Sequence, residues 1–352
     1  MRAAVLYDVD DIRVETRPVP ELQPGDLLVA TAASGICSGD LMAWYVRRKA
    51  PFVFGHEPAG TIVAVGAGGD ARDRDGRPFA VGERVFAHHH APCLACAACA
   101  RGDYVQCAAW RASHLEPGGM AEFVRVPRAN LVDTLRLPAA VDWIDGSLVE
   151  PLGCVVKSLA RGFGEPAESI GGSNRPLAGA VLYVIGLGVM GLMHVALALA
   201  AGARVFAADP IEARRSRALA LGAQAAFAPK GAVAQLAGAE PDVVVCGPGS
   251  AVALQHATET VRAGGRIVMF TPLDSAERFS FDQSSAYFRD LSLIASYSCG
   301  PDDTRAALAA IARGVVSAER LGAARFALDD VASAYAAMRD QRIVKAVVDF
   351  DG

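Results

Sequence analysis

A chain of 352 residues with 34 Lys and Arg against 38 Asp and Glu carries a formal net charge of −4, which removes the electrostatic case for nucleic acid as a partner. Apolar residues make up 52% and charged residues 20%, so disorder is excluded and two folded domains are expected at this length. Of the eight cysteines, Cys93, Cys96, Cys99 and Cys107 share one short stretch while Cys37, Cys154, Cys246 and Cys299 are scattered, which points to metal rather than to a disulfide framework.

Residues 1–20 read as an alternating strand and a proline-bearing turn, without a basic n-region or an apolar h-region, so a cytoplasmic protein is expected. Short alternating runs at 26–32, 60–65 and 121–126, separated by Gly and Pro, predict a small irregular barrel up to about residue 137. Within it, Cys37 and His56 are good zinc donors, and a carboxylate, with Glu57 and Glu150 both on offer, would complete a site with an open position. Taken singly, Cys37 also suits a small buried thiol and His56 a satisfied core histidine. The charged insert 70–77 reads as a solvated loop. His88, His89 and His90 cannot all face one ion as consecutive residues, and a loop or supporting role is expected for them.

The spacing Cys93-x2-Cys96-x2-Cys99-x7-Cys107 lets one short loop fold around a tetrahedral ion, and four soft donors with no free position imply structural zinc. An iron–sulfur cluster or a disulfide-bonded lobe would draw on the same four residues. Trp44, Tyr45 and Trp110, with Tyr297 from the second half, are candidates for an aromatic substrate pocket; each also suits plain packing.

After residue 137, Ala/Leu-rich helical stretches alternate with apolar runs at 181–185, 205–208, 243–246, 266–270 and 291–295, the pattern of a parallel sheet wrapped by helices. The run 181–185 enters Gly186-Leu187-Gly188-Val189-Met190-Gly191 and then a helix over 194–201. In that context the first Gly makes the turn, the second lets backbone approach a pyrophosphate and the third packs helix on strand, with amides of Val189 and Met190 facing the anion. Asp209, eighteen residues after Gly191, can accept from a ribose diol and favours NAD over NADP. Arg214 can serve a phosphate or flank an adenosine, and Thr271 lies at the end of the 266–270 run as a further cofactor contact. A tight turn without ligand is the plain alternative. The apolar stretch 181–200 mimics a membrane span but is broken by glycines and carries His194, so no membrane is expected. Lys157, two helical turns past Glu150, reaches an anionic substrate or, more simply, solvent. A helix over 303–313 and a strand over 343–350 would return the chain to the first domain, giving domains of 1–150 with 300–352 and of 151–299.

The run Gly55-His56-Glu57-Pro58-Ala59-Gly60, the four-cysteine lobe, Gly118-Gly119-Met120-Ala121-Glu122-Phe123 and the glycine loop occur in the order found in zinc-containing medium-chain dehydrogenases/reductases, and the chain resembles that family over essentially its whole length. The Glu150-Pro151-Leu152 run looks most like the sorbitol (polyol) and threonine dehydrogenase branch. The resemblance implies an α/β protein with a GroES-like β-barrel catalytic domain and a Rossmann doubly wound parallel-sheet cofactor domain. It implies two zinc ions per chain, the catalytic one held by Cys37, His56 and Glu57, with Glu150 ligating directly or through water and Asp40 orienting His56. The activity implied is hydride exchange between NAD and a secondary alcohol, polyol or cyclitol, by a homotetramer or dimer. One departure stands out: relatives carry Ser or Thr two residues after the zinc Cys and a His five after it, where this chain has Gly39 and Met42, and Ser38 comes one residue early. Glu150 or a water at the metal is then the expected proton acceptor. The departure also admits a reductase of an iminium or activated C=C bond, or a dinucleotide-binding protein without turnover.

Overall fold

Strand Leu27–Gly35 ends in small residues, Ala-Thr-Ala-Ala-Ser-Gly, that let neighbouring strands close in on both sides. In the computed structural model, which describes residues 1–236 and 238–350, the chain divides into two units. The first contains Met1–Pro151, Cys299–Ala312 and the segment from Ser317 onward, and the second Leu152–Ser298 with Arg313–Val316.

In the first unit a seven-stranded sheet runs in the order Ala324–Ala327, Ala346–Asp349, Leu27–Gly35, Glu57–Val65, Arg84–Ala87, Thr134–Arg136, with Phe123–Val126 also paired to Leu27–Gly35. Period-two alternation sends Leu27, Val29, Ile62, Val85, Val124 and Val126 into one buried cluster. Each large side chain removed from water there contributes roughly 1.5–3 kcal/mol. The register then decides where the chemistry sits. Gly35 stands opposite both Glu57 and Val347, so Cys37, His56 and Lys345 leave their strands at one end of the sheet. Ala87 pairs with Thr134, and one step further His88 and Asp133 emerge side by side.

The expected terminal strand over 343–350 is shorter, Ala346–Asp349, because Lys345 turns inward toward a buried carboxylate. The insert 70–77 is more than a solvated loop. The Asp73 side chain is only 6% exposed and pairs with Arg136 at 2.5 Å, while Arg74 reaches Asp302 and Asp75 reaches Arg305. Those ion pairs clip the insert onto helix Pro301–Ala312.

The second unit is a six-stranded parallel sheet in the order Ala225–Phe227, Arg204–Ala208, Val181–Ile185, Val243–Cys246, Arg266–Met269, Ser292–Ala295. Numbered along the chain this is 3-2-1-4-5-6, the doubly wound order whose crevice opens where strand direction of travel reverses. Val181–Ile185 is buried along its whole length, as a central parallel strand with both faces covered must be. The helix begins at Val189, five residues earlier than the expected 194, and runs to Ala200. His194 within it is buried and satisfied, with Met190 O at 2.7 Å and Ser158 Oγ at 2.8 Å. The apolar stretch 181–200 is thus a strand, a turn and a helix, and among the described residues no helix is long and apolar enough to cross a membrane.

Candidate metal and cofactor sites

Cys37, His56 and Glu57 bring one donor atom each within 4.8 Å of one another at the end of the seven-stranded sheet. Cys37 caps the turn Ser38–Leu41, with Gly39 N–H donating to its Sγ at 3.3 Å. His56 is carried by a loop braced by the 118–123 motif: Gly119 N–H donates to the Gly55 carbonyl at 2.7 Å and Met120 N–H to the Phe54 carbonyl at 2.9 Å. Glu57 is fully buried; its Oε2 faces Lys345 Nζ at 2.5 Å, and its Oε1 has no hydrogen-bond partner. A Cβ at Gly35 would overlap Glu57 Oε2 and press on Lys345 Cε, so only glycine lets this pair cross the strand end. Lys345 Nζ also donates to the Ile36 carbonyl at 2.9 Å. Asp40 is buried, 3.6 Å from His56 Nδ1, within ion-pair reach but beyond a hydrogen bond.

The electrostatics around His56 favour positive charge. Burial works against a charged His56, yet Cys37 and then Asp40 raise it well above the ordinary imidazole value. Burial also raises Asp40. Surroundings that favour positive charge at His56, together with a buried Glu57 oxygen that has no hydrogen-bond partner, suit a cation. Its thiolate, imidazole and carboxylate are the donors of a zinc site that keeps an open position.

Glu150, in the first turn of helix Val149–Phe163, groups elsewhere: its carboxylate lies within 4.8 Å of donor atoms of His88 and His89. It still feels His56 and Glu57 electrostatically, and burial is the main reason its carboxyl is raised. His88 Nδ1 meets Asp133 Oδ2 at 2.6 Å, and Thr304 Oγ1 donates to Asp133 Oδ1 at 2.5 Å. The His89 ring lies tilted beside that of His56, ring centroids 4.7 Å apart, while burial and then His56 hold it well below the ordinary value. His90 turns away, its Nδ1 on the Ser113 carbonyl at 2.6 Å, so two of the three consecutive histidines converge and the third does not.

In the four-cysteine lobe Sγ separations are 3.5 Å for Cys96–Cys99, 3.6 Å for Cys93–Cys107 and 4.0 Å for Cys93–Cys99. A tetrahedron with bonds of about 2.3 Å has edges of about 3.8 Å, so these sulfurs match a single ion. All four are free thiols, so none is spent in a disulfide. Burial opposes ionisation of Cys107, but backbone N–H groups of Cys93, Trp110 and Ala109 bring its thiol down to about 6. Trp110 is buried in the same cluster as Cys99, Val105 and Cys107, against His90. It therefore packs beneath the lobe instead of lining a pocket. Trp44 and Tyr45 share the short helix Ala43–Val46 after the Cys37 turn, half-buried, with Lys49 over the Tyr45 ring. Tyr297, in the second unit, is exposed.

In the second unit the glycine loop leaves Val181–Ile185 through Gly186, whose φ of +89° suits glycine. Gly191 packs so closely on the Gly186 carbonyl that a Cβ would overlap it. Gly188 caps the helix with open space around its Cα, and no side chain caps that N-terminus. Asp209 ends the second strand, buried, with Oδ2 accepting from Leu187 N–H at 2.7 Å and Oδ1 from Ile211 N–H at 2.8 Å. Arg214 lies 3.9 Å from Asp209 Oδ2, and Thr271 follows strand Arg266–Met269 by two residues. Sequence reasoning missed Lys345, Asp133 and Thr304. The one available signal was a lysine inside an otherwise apolar terminal run, Ile343-Val344-Lys345-Ala346-Val347-Val348.

Residues 23–138 match the family model described as alcohol dehydrogenase GroES-like domain, and residues 189–313 the one described as zinc-binding dehydrogenase. A sorbitol dehydrogenase of Bacillus subtilis is 31% identical over 224 residues, a match that spans 61% of this chain and 57% of that protein. A sorbitol dehydrogenase of Bombyx mori is 27% identical over 364 residues, covering 96% of this chain and 97% of that one. Among solved structures, a zinc-binding dehydrogenase of Sinorhizobium meliloti bound to NADP superposes with a TM-score of 0.82 at 28% identity, covering 99% of this chain and 98% of that one.

Proposed function

From the chain's membership of the zinc-containing medium-chain dehydrogenase/reductase family, we propose that it exchanges a hydride between NAD and a secondary alcohol, polyol or cyclitol, interconverting alcohol and ketone. The observation that carries this reading is the convergence of Cys37, His56 and Glu57, whose donor atoms lie within 4.8 Å of one another while one Glu57 oxygen has no hydrogen-bond partner, an open donor set of the kind that acts on a substrate oxygen. Zinc bound there supplies Lewis acidity toward that oxygen, and the dinucleotide supplies the hydride acceptor. Lys345 holds Glu57 in place and balances its charge, and Asp40 adds a negative charge beside His56.

With Gly39 and Met42 at the usual relay positions, Glu150 receives the substrate proton: burial raises its carboxyl, which suits a base working nearer neutral pH. Cys93, Cys96, Cys99 and Cys107 hold a second, structural zinc. Gly186 to Gly191 bind the pyrophosphate and Asp209 the adenosine ribose, which favours NAD. A homo-oligomer, dimer or tetramer, working in the cytoplasm is part of the same reading.

The test is NADH formation, followed by absorbance, across polyols, cyclitols, simple secondary alcohols and threonine. Turnover on one of these with NAD is the expected result, and silence on all of them overturns the reading. An NADP preference in kcat/KM would overturn the role of Asp209. Glu150→Gln is expected to change the pH–rate profile; an unchanged profile excludes Glu150 as the base. The absent relay favours one second reading, reduction of an iminium or activated C=C bond, which NADH consumption on such substrates would reveal.

A further inference from the structure

His88 is fixed far more firmly than a loop histidine needs to be. Its ring donates from Nδ1 to Asp133 Oδ2, Thr304 Oγ1 holds the other Asp133 oxygen, and Asn130 Nδ2 donates to its carbonyl at 3.0 Å. A histidine whose Nδ1–H is given to a carboxylate presents Nε2 as a lone pair in a fixed direction, the arrangement that commonly backs metal-ligating histidines. Next to it, His89 Nδ1 is buried with no hydrogen-bond partner. The chain bends at His89 just past strand Arg84–Ala87, which lets two consecutive rings, 74° apart in plane, face one point. The Glu150 carboxylate faces the same point, and the three donors lie within 4.8 Å of one another.

We propose that His88, His89 and Glu150 form a second divalent-cation site in the first unit, of the zinc or cobalt class, beside the Cys37–His56–Glu57 cage. Two imidazoles and one carboxylate are a donor set that borderline cations accept with a position left open. Cys299 Sγ lies 3.8 Å from His88 Nε2 and, with Cys154, also comes within 4.8 Å of the Glu150 carboxylate. A cation bound there lowers the basicity of Glu150, so cation binding and proton acceptance are alternative states of this one carboxylate. The inference concerns metal content and stands apart from the choice of substrate.

The full chain is equilibrated in a zinc buffer, desalted and analysed for zinc per polypeptide. Three equivalents are expected, one each for the four-cysteine lobe, the Cys37 cage and this site. His89→Gln is expected to lose one equivalent, and Asp133→Asn to weaken the same equivalent about 10–100-fold. A wild-type count that stops at two, or a His89→Gln count equal to wild type, overturns the proposal. Should the variants fail to fold, cobalt titration of the wild type decides. A third equivalent adding only weak d–d bands supports two imidazoles and a carboxylate, whereas one that adds thiolate charge transfer, or no third equivalent, refutes them. Three equivalents without turnover on any alcohol would sink the proposed activity and leave this site standing; turnover with only two would do the reverse.

Discussion

The four-cysteine lobe and the Cys37–His56–Glu57 group are both clusters of metal-donor side chains, built in opposite ways. The lobe takes all its donors from one stretch of fifteen residues, Cys93 to Cys107, and fills every position of a tetrahedron with sulfur. The cage collects unlike donors from two strand ends, leaves a carboxylate oxygen unpaired and needs a lysine from just before a distant strand to balance its charge. A site complete in itself can only stabilise; one assembled by the sheet, with a coordination place open, can do chemistry.

Four outcomes would break or sharpen that contrast. The largest belongs to the lobe. Cys107→Ser should cost one zinc equivalent, and losing even about 4 kcal/mol of a structural zinc's binding energy lowers the melting midpoint by about 8–16 °C, read by calorimetry. A midpoint that does not move would mean the lobe holds nothing together. Cys37→Ser should leave the midpoint nearly unchanged while turnover drops about 10³-fold, the equivalent of about 4 kcal/mol of lost Lewis-acid stabilisation. The reverse pattern, a large midpoint shift with activity kept, would exchange the roles of the two sites.

Lys345→Met strands the Glu57 carboxylate in a buried place, and metal-free protein should lose about 3–5 kcal/mol in urea denaturation. Zinc-loaded protein should lose less, since the ion then faces the same carboxylate; equal losses with and without zinc would separate the lysine from the cage. The smallest effect lies outside both sites. Burial lowers His194 to about 4, below its unfolded value, so the unfolded chain binds the extra proton between about pH 6.5 and 4 and stability falls as pH falls through that window. His194→Gln should lessen the loss between pH 7.5 and pH 5 by about 2 kcal/mol, with or without metal. A difference that vanishes on chelation would place the acid sensitivity in the metal sites instead.

The same contrast explains what could be read from the letters alone. The lobe and the glycine loop are local, so spacing carries them: four cysteines at x2, x2 and x7, and Gly186, Gly188 and Gly191 between an apolar strand and an apolar helix. The cage was legible only through its family resemblance, because nothing local joins Cys37 to His56. Lys345 was invisible for the same reason: a lysine before an apolar strand is ordinarily a solvated edge residue, and only the Gly35 register turns it inward. Trp110 stayed open between two readings because an aromatic near metal ligands suits a pocket wall and a packed floor equally well in sequence, and burial decides for the floor. The insert 70–77 looked like a charge run, and its partners Arg136, Asp302 and Arg305 lie too far along the chain for its charges to announce them.

The distance between Cys37 and Lys345 also has a meaning in time. At about 5–20 residues added per second, a ribosome makes the lobe's fifteen residues within a few seconds, yet it needs between about 15 and 60 s to travel from Cys37 to Lys345. Throughout that interval the strand that completes the sheet beside Gly35 has not been made. The nascent chain therefore passes through a stage in which one donor cluster is complete and the other lacks its counter-charge, and order of synthesis alone gives any ion at the lobe the first opportunity to bind.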